Sequence, residues 1–200
     1  MAESHFLALL SRMKYIERWA LMRSSRPESL SEHTLEVALI AHMLCVVGNA
    51  RHGRSLNAER AALVALYHDA SEIITGDMPT PVKYHDGTIR SAYGAVEREA
   101  ERQLLAALPN DLRPCLEDVF WTPEGADEDE LYLRRLVKAA DKISALIKCV
   151  DERRTGNAEF TSAERTCRAA VDEMAAELPE VADFVSEFLP SYGATLDELL

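Results

Sequence analysis

Several things are scarce in this chain. There are four cysteines in 200 residues, Cys45, Cys115, Cys149 and Cys167, and none of them forms a C-x-x-C pair. That spacing argues against a zinc ribbon and against a disulfide framework, so the cysteines read as reduced, most of them small core residues. Positive charge is also short: 22 Lys and Arg stand against 34 Asp and Glu, a net charge of −12. A phosphate backbone needs a basic footprint, so a nucleic-acid polymer is not expected as a partner. A small anionic ligand stays compatible if a local cation or a metal overcomes the global repulsion. No stretch reads as long and apolar enough to span a bilayer, and no membrane partner is expected. The first residues lack the basic start and small-residue cleavage site of a signal peptide, which leaves the cytoplasm as the expected location. Internal repeats and low-complexity tracts are lacking, and strand signals are weak almost everywhere.

What remains is helical patterning. Phe6, Leu9, Leu10, Met13 and Ile16 keep helical spacing. A second helix is expected to start near Ser29 to Ser31, where Ser29 with Glu32 suits a capping box and Ser31 is an equally good cap, and to stop at Gly48–Asn49. A third runs from Asn57 to about Gly76, followed by a loop, "GDMPTPVKYHDG", in which Pro79 and Pro81 cannot continue a helix. Further helices are expected over about Thr88 to Leu108, Asp127 to Arg154, Thr161 to Leu178 and Val181 to Leu189. The fold class is all-α, and with no linker in view the expectation is one domain over residues 1–200.

Polar residues interrupt the apolar patterning at a few places. In "ALYHDASEIITGDMPTPVKY", His68 and Asp69 stand side by side and Glu72 follows one turn later. His33 opens the second helix in "SEHTLEVALIAH", and Asp141 interrupts the long helix in "VKAADKISALIK". A buried aspartate is costly unless it is paired, hydrogen-bonded or bound to a metal. His33, His68, Asp69 and Asp141 brought together from three helices suit a divalent cation such as zinc, manganese, cobalt or iron(II), with water in the remaining positions made acidic enough to act as a nucleophile. Plain readings stand beside this one: His68 as a hydrogen-bonded core histidine, Asp69 as an exposed helix charge, Asp141 paired with Lys138 or Arg134 on its own helix. His5, His42, His52 and His85 carry no assignment.

The order His, His-Asp, Asp resembles the HD-domain metal-dependent phosphohydrolases, an all-helical superfamily. The segments "SHFLALLSRMKYIERWALMR", "SEHTLEVALIAH", "NAERAALVALYHDASEIITGDMPTPVKY" and "VKAADKISALIKC" are similar, more narrowly, to YfbR-type 5′-deoxynucleotidases. The likeness covers most of the chain and is densest over the first ninety or so residues. It implies an HD-domain helical bundle with a metal site between helices. The implied activity is conversion of deoxyribonucleoside 5′-monophosphates to deoxynucleoside and phosphate with one divalent transition metal (cobalt, manganese, zinc or similar). It also implies a homodimer.

Residue by residue, the resemblance makes His33, His68, Asp69 and Asp141 the metal ligands and Glu72 the catalytic acidic residue. It makes Arg18 and Trp19 the substrate-contacting pair and Asp77, Met78, Pro79 and Thr80 the substrate-binding loop, with Asp69 and Asp141 also facing substrate. The chemistry agrees with those roles. A guanidinium at Arg18 can bridge two phosphoryl oxygens. Glu72 is placed for proton transfer, to the attacking water or the leaving oxygen, and Asp77 to take a proton or orient the sugar. Trp19 would wall off a ribose 2′-hydroxyl and leave it unpartnered, selecting deoxyribose. Nothing points to a pocket that reads one base, so broad base tolerance is expected. Taken alone, Arg18 reads as a surface arginine, Trp19 as a core anchor and Lys83 as a solvated lysine.

Two other functions stay open. One is an HD hydrolase of di- or triphosphates or phosphodiesters; some of these carry a second metal on extra histidines, but here only His85 lies between the doublet and Asp141. The other is a non-catalytic nucleotide-binding regulatory module.

Overall fold

The structure is a computed structural model. It describes residues 3–83 and 85–200, and of Thr80 only the backbone, so the side chain of that expected substrate contact lies outside the described residues. Among the described residues the fold is all-α apart from two strands of two residues each.

The N-terminal segment is not one helix. α1 (Phe6–Leu10) passes into a 3₁₀ turn over Ser11–Tyr15, and Ile16 is already extended. Leu10, Met13 and Ile16 are three apart, a spacing that suits three residues per turn as well as 3.6. The chain then forms β1 (Glu17–Arg18), which pairs antiparallel with β2 (Glu28–Ser29) so that Arg18 stands opposite Glu28. Arg18 therefore lies in a ladder and is buried, and is not the surface residue at a helix end that its sequence context suggests.

α2 (Leu30–Arg51) begins with the full capping box: Ser29 Oγ accepts from the Glu32 N–H at 3.3 Å, and the Ser29 N–H donates to Glu32 Oε2 at 2.8 Å. It runs two residues past Asn49, with Gly48 inside it. α3 (Ala58–Tyr67) is capped by Asn57, which accepts from the Arg60 N–H. It ends nine residues before Gly76. The segment between is a tight turn over His68–Ser71 and then α4 (Glu72–Thr75), closed by Gly76 at φ 73°. The loop read from Pro79 and Pro81 contains a one-turn helix, α5 (Thr80–Lys83), because a proline in the first turn gives up no hydrogen bond. α6 (Gly87–Ala106) is capped by Asp86. α7 (Pro114–Phe120), unforeseen from the sequence, starts on Pro114 for the same reason as α5. α8 (Glu128–Arg154), α9 (Thr161–Glu177) and α10 (Pro179–Glu187) match the expected positions within two residues, and α11 (Leu196–Leu199) closes the chain.

α2 and α8 form the centre. α2 packs against α3, α8 and α10, and α8 also packs against α9. Small buried residues at the crossings, Ala41, Ala61, Ala65, Ala139 and Ala140, let the backbones approach closely, with Val37, Leu44, Leu136, Ile143 and Leu146 filling the remaining space. A second cluster joins Phe6, Ala70 and Leu104, flanked by Tyr67 and Phe120. It fixes the turn after α3 against α1 and α6.

One expectation is corrected here. By length and composition α2 is long and apolar enough to cross a membrane, because Leu35, Leu39, Met43 and Val46 make even its exposed face apolar. Yet 56% of that apolar window is buried inside the fold. The run looked shorter because His33, Glu36 and His42 interrupt it in sequence.

Gly48 has a packing reason. A Cβ there would stand 2.8 Å from Glu180 Oε1. Glu180 is fully buried, accepts from Tyr132 Oη–H at 2.9 Å, and lies 3.8 Å from Arg54 Nε. Alanine in a helix gains about 1 kcal/mol over glycine, but overpacking costs about 1–3 kcal/mol and disturbing the buried Tyr132–Glu180 hydrogen bond adds about 1 kcal/mol. Gly48→Ala is therefore expected to lower stability by about 1–3 kcal/mol in urea unfolding; a gain would mean that the Glu180 carboxylate moves aside freely.

Candidate metal centre and active site

Three elements deliver the four expected ligands. His33 sits in the first turn of α2, fully buried. Asp141 lies mid-way along α8. His68 and Asp69 lie in the turn after α3, which is held by short-range bonds: His68 N–H to Ala65 O, Ala70 N–H to Tyr67 O and Glu72 N–H to Asp69 O. These three-residue steps are 3₁₀ geometry, in which residues three apart eclipse. Asp69 and Glu72, rather than His68 and Glu72, are thus the stacked pair. The α3 helix breaks here because the His68 ring itself takes the Ala65 carbonyl, Nδ1 to O at 2.7 Å.

One ligand atom from each of His33, His68, Asp69 and Asp141 lies within 4.8 Å of the others. His68 Nε2 is 3.1 Å from Asp69 Oδ2; His33 Nε2 is 3.6 Å from Asp69 Oδ2 and 3.4 Å from Asp141 Oδ1. Donors about 2.1 Å from a common ion stand about 3.0–3.4 Å apart at ordinary coordination angles. A carbonyl only accepts, so the Ala65 bond makes His68 Nδ1 the donor, and in the neutral ring Nε2 keeps the lone pair. Burial lowers the His68 pKa, but Asp69 more than offsets it. Both Nε2 atoms are buried without a hydrogen-bond partner. Buried polar atoms are rarely orphaned, and two of them converging on two carboxylates fit a divalent cation. Asp141 divides its oxygens: Oδ1 faces His33, while Oδ2 takes Lys138 Nζ at 2.9 Å and Lys142 Nζ at 3.2 Å. The plain pairing with Lys138 therefore exists alongside the site. Arg134 pairs with Glu130 instead.

Electrostatics follow from the crowding. Burial alone would raise Asp69 and Asp141, but His68 outweighs it for Asp69, and His33 with the two lysines does so for Asp141, so both stay below the usual carboxylate range. Glu72 has no such relief. Burial, then the charges of Asp69 and Asp77, push it up to about 9, and its Oε2 is buried without a partner. Arg18 contacts Glu28 Oε2 through Nε at 3.3 Å and Asp69 Oδ2 through Nη1 at 3.6 Å. Burial would lower it, but Asp69 and Glu28 more than offset that and keep it charged.

Of the remaining candidates, Trp19 and Asp77 are hydrogen-bonded to each other. Trp19 adopts φ 60°, unusual for a bulky residue. Its N–H donates to Asp77 Oδ2 at 3.2 Å, its indole N–H donates to Glu28 Oε2 at 3.0 Å, and its ring packs on Phe160. Met78 and Pro79 are half-buried beyond Asp77. Lys83 pairs with Glu97 at 2.7 Å. A cavity of about 400 Å³ opens onto His68, Asp69 and Asp141 and reaches Arg98 and Glu101 on α6.

The sequence reading does not single out Glu28, which holds both Arg18 and Trp19. Its context, "RPESLSEH", has no periodicity to exploit; only the need of a buried arginine for a partner points to it. Glu28 is positioned by the loop before it, which is tied to α8. Glu152 accepts from the Ser25 N–H at 2.8 Å and Asn157 Nδ2 at 2.7 Å and pairs with Lys148, whose Nζ also donates to Arg26 O at 2.6 Å.

The comparisons agree with the geometry. The model of the YfbR-like 5′-deoxynucleotidases matches residues 5–192. A 5′-deoxynucleotidase of Vibrio cholerae is 46% identical over 199 residues, covering 100% of each chain. The chain belongs to the YfbR-like 5′-deoxynucleotidase family. A solved HD-domain phosphohydrolase from Listeria innocua has a TM-score of 0.80 at 26% identity, over 96% of this chain and 90% of that one. A cyanophage S-2L HD phosphohydrolase, whose structure holds dA and one catalytic Zn²⁺ ion, has a TM-score of 0.59 at 20% identity over 95% of each chain, which shows the shared fold. This YfbR-like chain is an HD-type, metal-dependent phosphohydrolase.

Burial pulls Glu152 upward, but its bonds to Lys148, Asn157 and Ser25 hold it down to about 2. A depressed folded-state value contributes stability above the ordinary glutamate range, near 4.3, and loses it as pH falls towards 2. The melting temperature of the wild type is expected to exceed that of Glu152→Gln at pH 7, with the gap closing below about pH 4.5. A gap of constant size down to pH 2.5 would contradict that anchorage.

Proposed function

We propose that this protein hydrolyses deoxyribonucleoside 5′-monophosphates to the deoxynucleoside and inorganic phosphate. His33, His68, Asp69 and Asp141 would hold one divalent transition metal such as cobalt, manganese or zinc. The observation that carries this reading is the pair of buried Nε2 atoms without partners, facing Asp69 and Asp141. The name of the family supports the substrate class, and the dA and Zn²⁺ of the cyanophage protein support the pairing of a deoxynucleoside with a metal in this fold.

When bound, a divalent cation supplies Lewis acidity at the phosphoryl oxygens and a water acidic enough to attack near neutral pH. The chain supplies the rest. Arg18, held charged by Asp69 and Glu28, bridges phosphoryl oxygens as their charge grows. Glu72, kept protonated by burial and its acidic neighbours, gives its proton to the leaving 5′-oxygen. Asp77 fixes the Trp19 backbone, and the indole, backed by Phe160, closes the space a ribose 2′-hydroxyl would need. Asp77, Met78, Pro79 and Thr80 border the sugar, and Asp69 and Asp141 face the phosphoryl group. Broad base tolerance is expected, since the selective contacts are all assigned to sugar and phosphate.

The protein is read as a cytoplasmic homodimer. The exposed stripe of Leu35, Leu39, Met43 and Val46 on α2 supports that association, because two copies of an acidic chain meet most readily through an uncharged face.

Phosphate release from dAMP, AMP, dADP and dATP, each with a panel of divalent ions, tests the substrate. The expected outcome is turnover of dAMP alone, abolished in His68→Ala. Equal rates on AMP would remove the role given to Trp19, and turnover of dATP in preference would assign the protein to another HD activity. Glu72→Gln is expected to lower kcat by about 10²–10⁴ while leaving metal affinity intact.

A further inference from the structure

One helical turn in from the ligands lies a second layer of polar groups. His33 Nδ1 is 3.0 Å from Ser144 Oγ, and Ser144 Oγ donates to Glu36 Oε2 at 2.6 Å. Ser144 is fully buried. Glu36 follows His33 by three residues on α2, and Ser144 follows Asp141 by three on α8. Residues three apart share a helix face, so the same two helices that supply His33 and Asp141 are joined again one turn deeper.

A serine hydroxyl has one proton. The short contact to a carboxylate commits that proton to Glu36, and the oxygen is then left to accept from His33. Nδ1 must carry the imidazole proton, and Nε2 keeps its lone pair towards Asp69 and Asp141. Without the serine the balance reverses. A proton on Nε2 would find two carboxylate oxygens within 3.4–3.6 Å, whereas a proton on Nδ1 would be buried with no acceptor.

We infer that Ser144 and Glu36 are positioning residues for the metal centre: they hold His33 in the Nδ1–H tautomer, the only neutral form whose Nε2 can ligate. The inference rests on the proposed ligand role of His33. His68 reaches the same tautomer by a different route, a backbone carbonyl, which no side-chain substitution removes. It therefore serves as an internal reference.

Long-range ¹H–¹⁵N spectra of the metal-free protein test the tautomer, and chelator competition with added Zn²⁺ tests the affinity. In the wild type both His33 and His68 are expected as Nδ1–H. In Ser144→Ala, His33 alone shifts to Nε2–H, and Zn²⁺ affinity falls about 10–100-fold, the usual effect of removing a partner of a ligating histidine. His33 remaining Nδ1–H in Ser144→Ala, or an affinity within twofold of wild type, overturns the inference. Should Ser144→Ala fail to fold, Glu36→Gln, at a half-buried position, carries the same test: a mixed His33 tautomer and several-fold weaker binding are expected, and no change in either overturns it. A wild type that binds no Zn²⁺ defeats the proposed function, while the metal-free spectra still decide the tautomer.

Discussion

Two carboxylates and two imidazoles confined within 4.8 Å inside a protein are the constraint around which this molecule is arranged. Like charges at such separations repel strongly in a poorly solvated interior. The protein relieves part of that from outside: Lys138 and Lys142 take the outer oxygen of Asp141, and Arg18 lies against Asp69. The inward lone pairs are left facing one another. The placement of α2, α8 and the turn after α3 makes physical sense as the support of that centre. The helix break at His68 belongs to it, because the ring that takes the Ala65 carbonyl is the same ring that faces Asp69.

The supports form a chain of their own. Glu152 and Lys148 hold the loop at Ser25 and Arg26, the loop leads to Glu28, and Glu28 holds Arg18 and the Trp19 indole. On the other flank Ala70 packs beside Phe6 and Leu104, so the N-terminal helix takes part in fixing the ligand turn. The groups given chemical roles are thus set by neighbours that never approach the reaction.

Sequence reasoning reached some of this and not the rest, for identifiable reasons. Asp141 stood out because an acid among Ala139, Ala140 and Ile143 demands a partner. Ser29, Asn57 and Asp127 marked helix starts because capping is a local interaction with a local signature. The break after Tyr67 was invisible: "ALYHDASEIIT" holds no proline or glycine, and the cause is a side chain competing for a carbonyl. Arg18 looked like surface because its burial depends on a strand pairing across ten residues. α7 was hidden by reading Pro114 as a boundary rather than as a first helical residue. The apolar outer face of α2 was masked by the polar residues between its members.

Trp19 combines two demands that pull apart. At φ 60° the backbone at this position would be most comfortable with glycine, and a non-glycine residue there carries a strain of about 1–3 kcal/mol. The same position carries one of the bulkiest side chains in the chain, with its main-chain N–H held by Asp77 and its indole held by Glu28 on β2. Relaxing the main chain and keeping the wall are thus mutually exclusive at this residue. Under the sugar-facing role proposed for Trp19, a lineage drifting towards looser discrimination has an easy downhill route here, and one maintaining it must keep Glu28, Asp77 and the indole together as a unit.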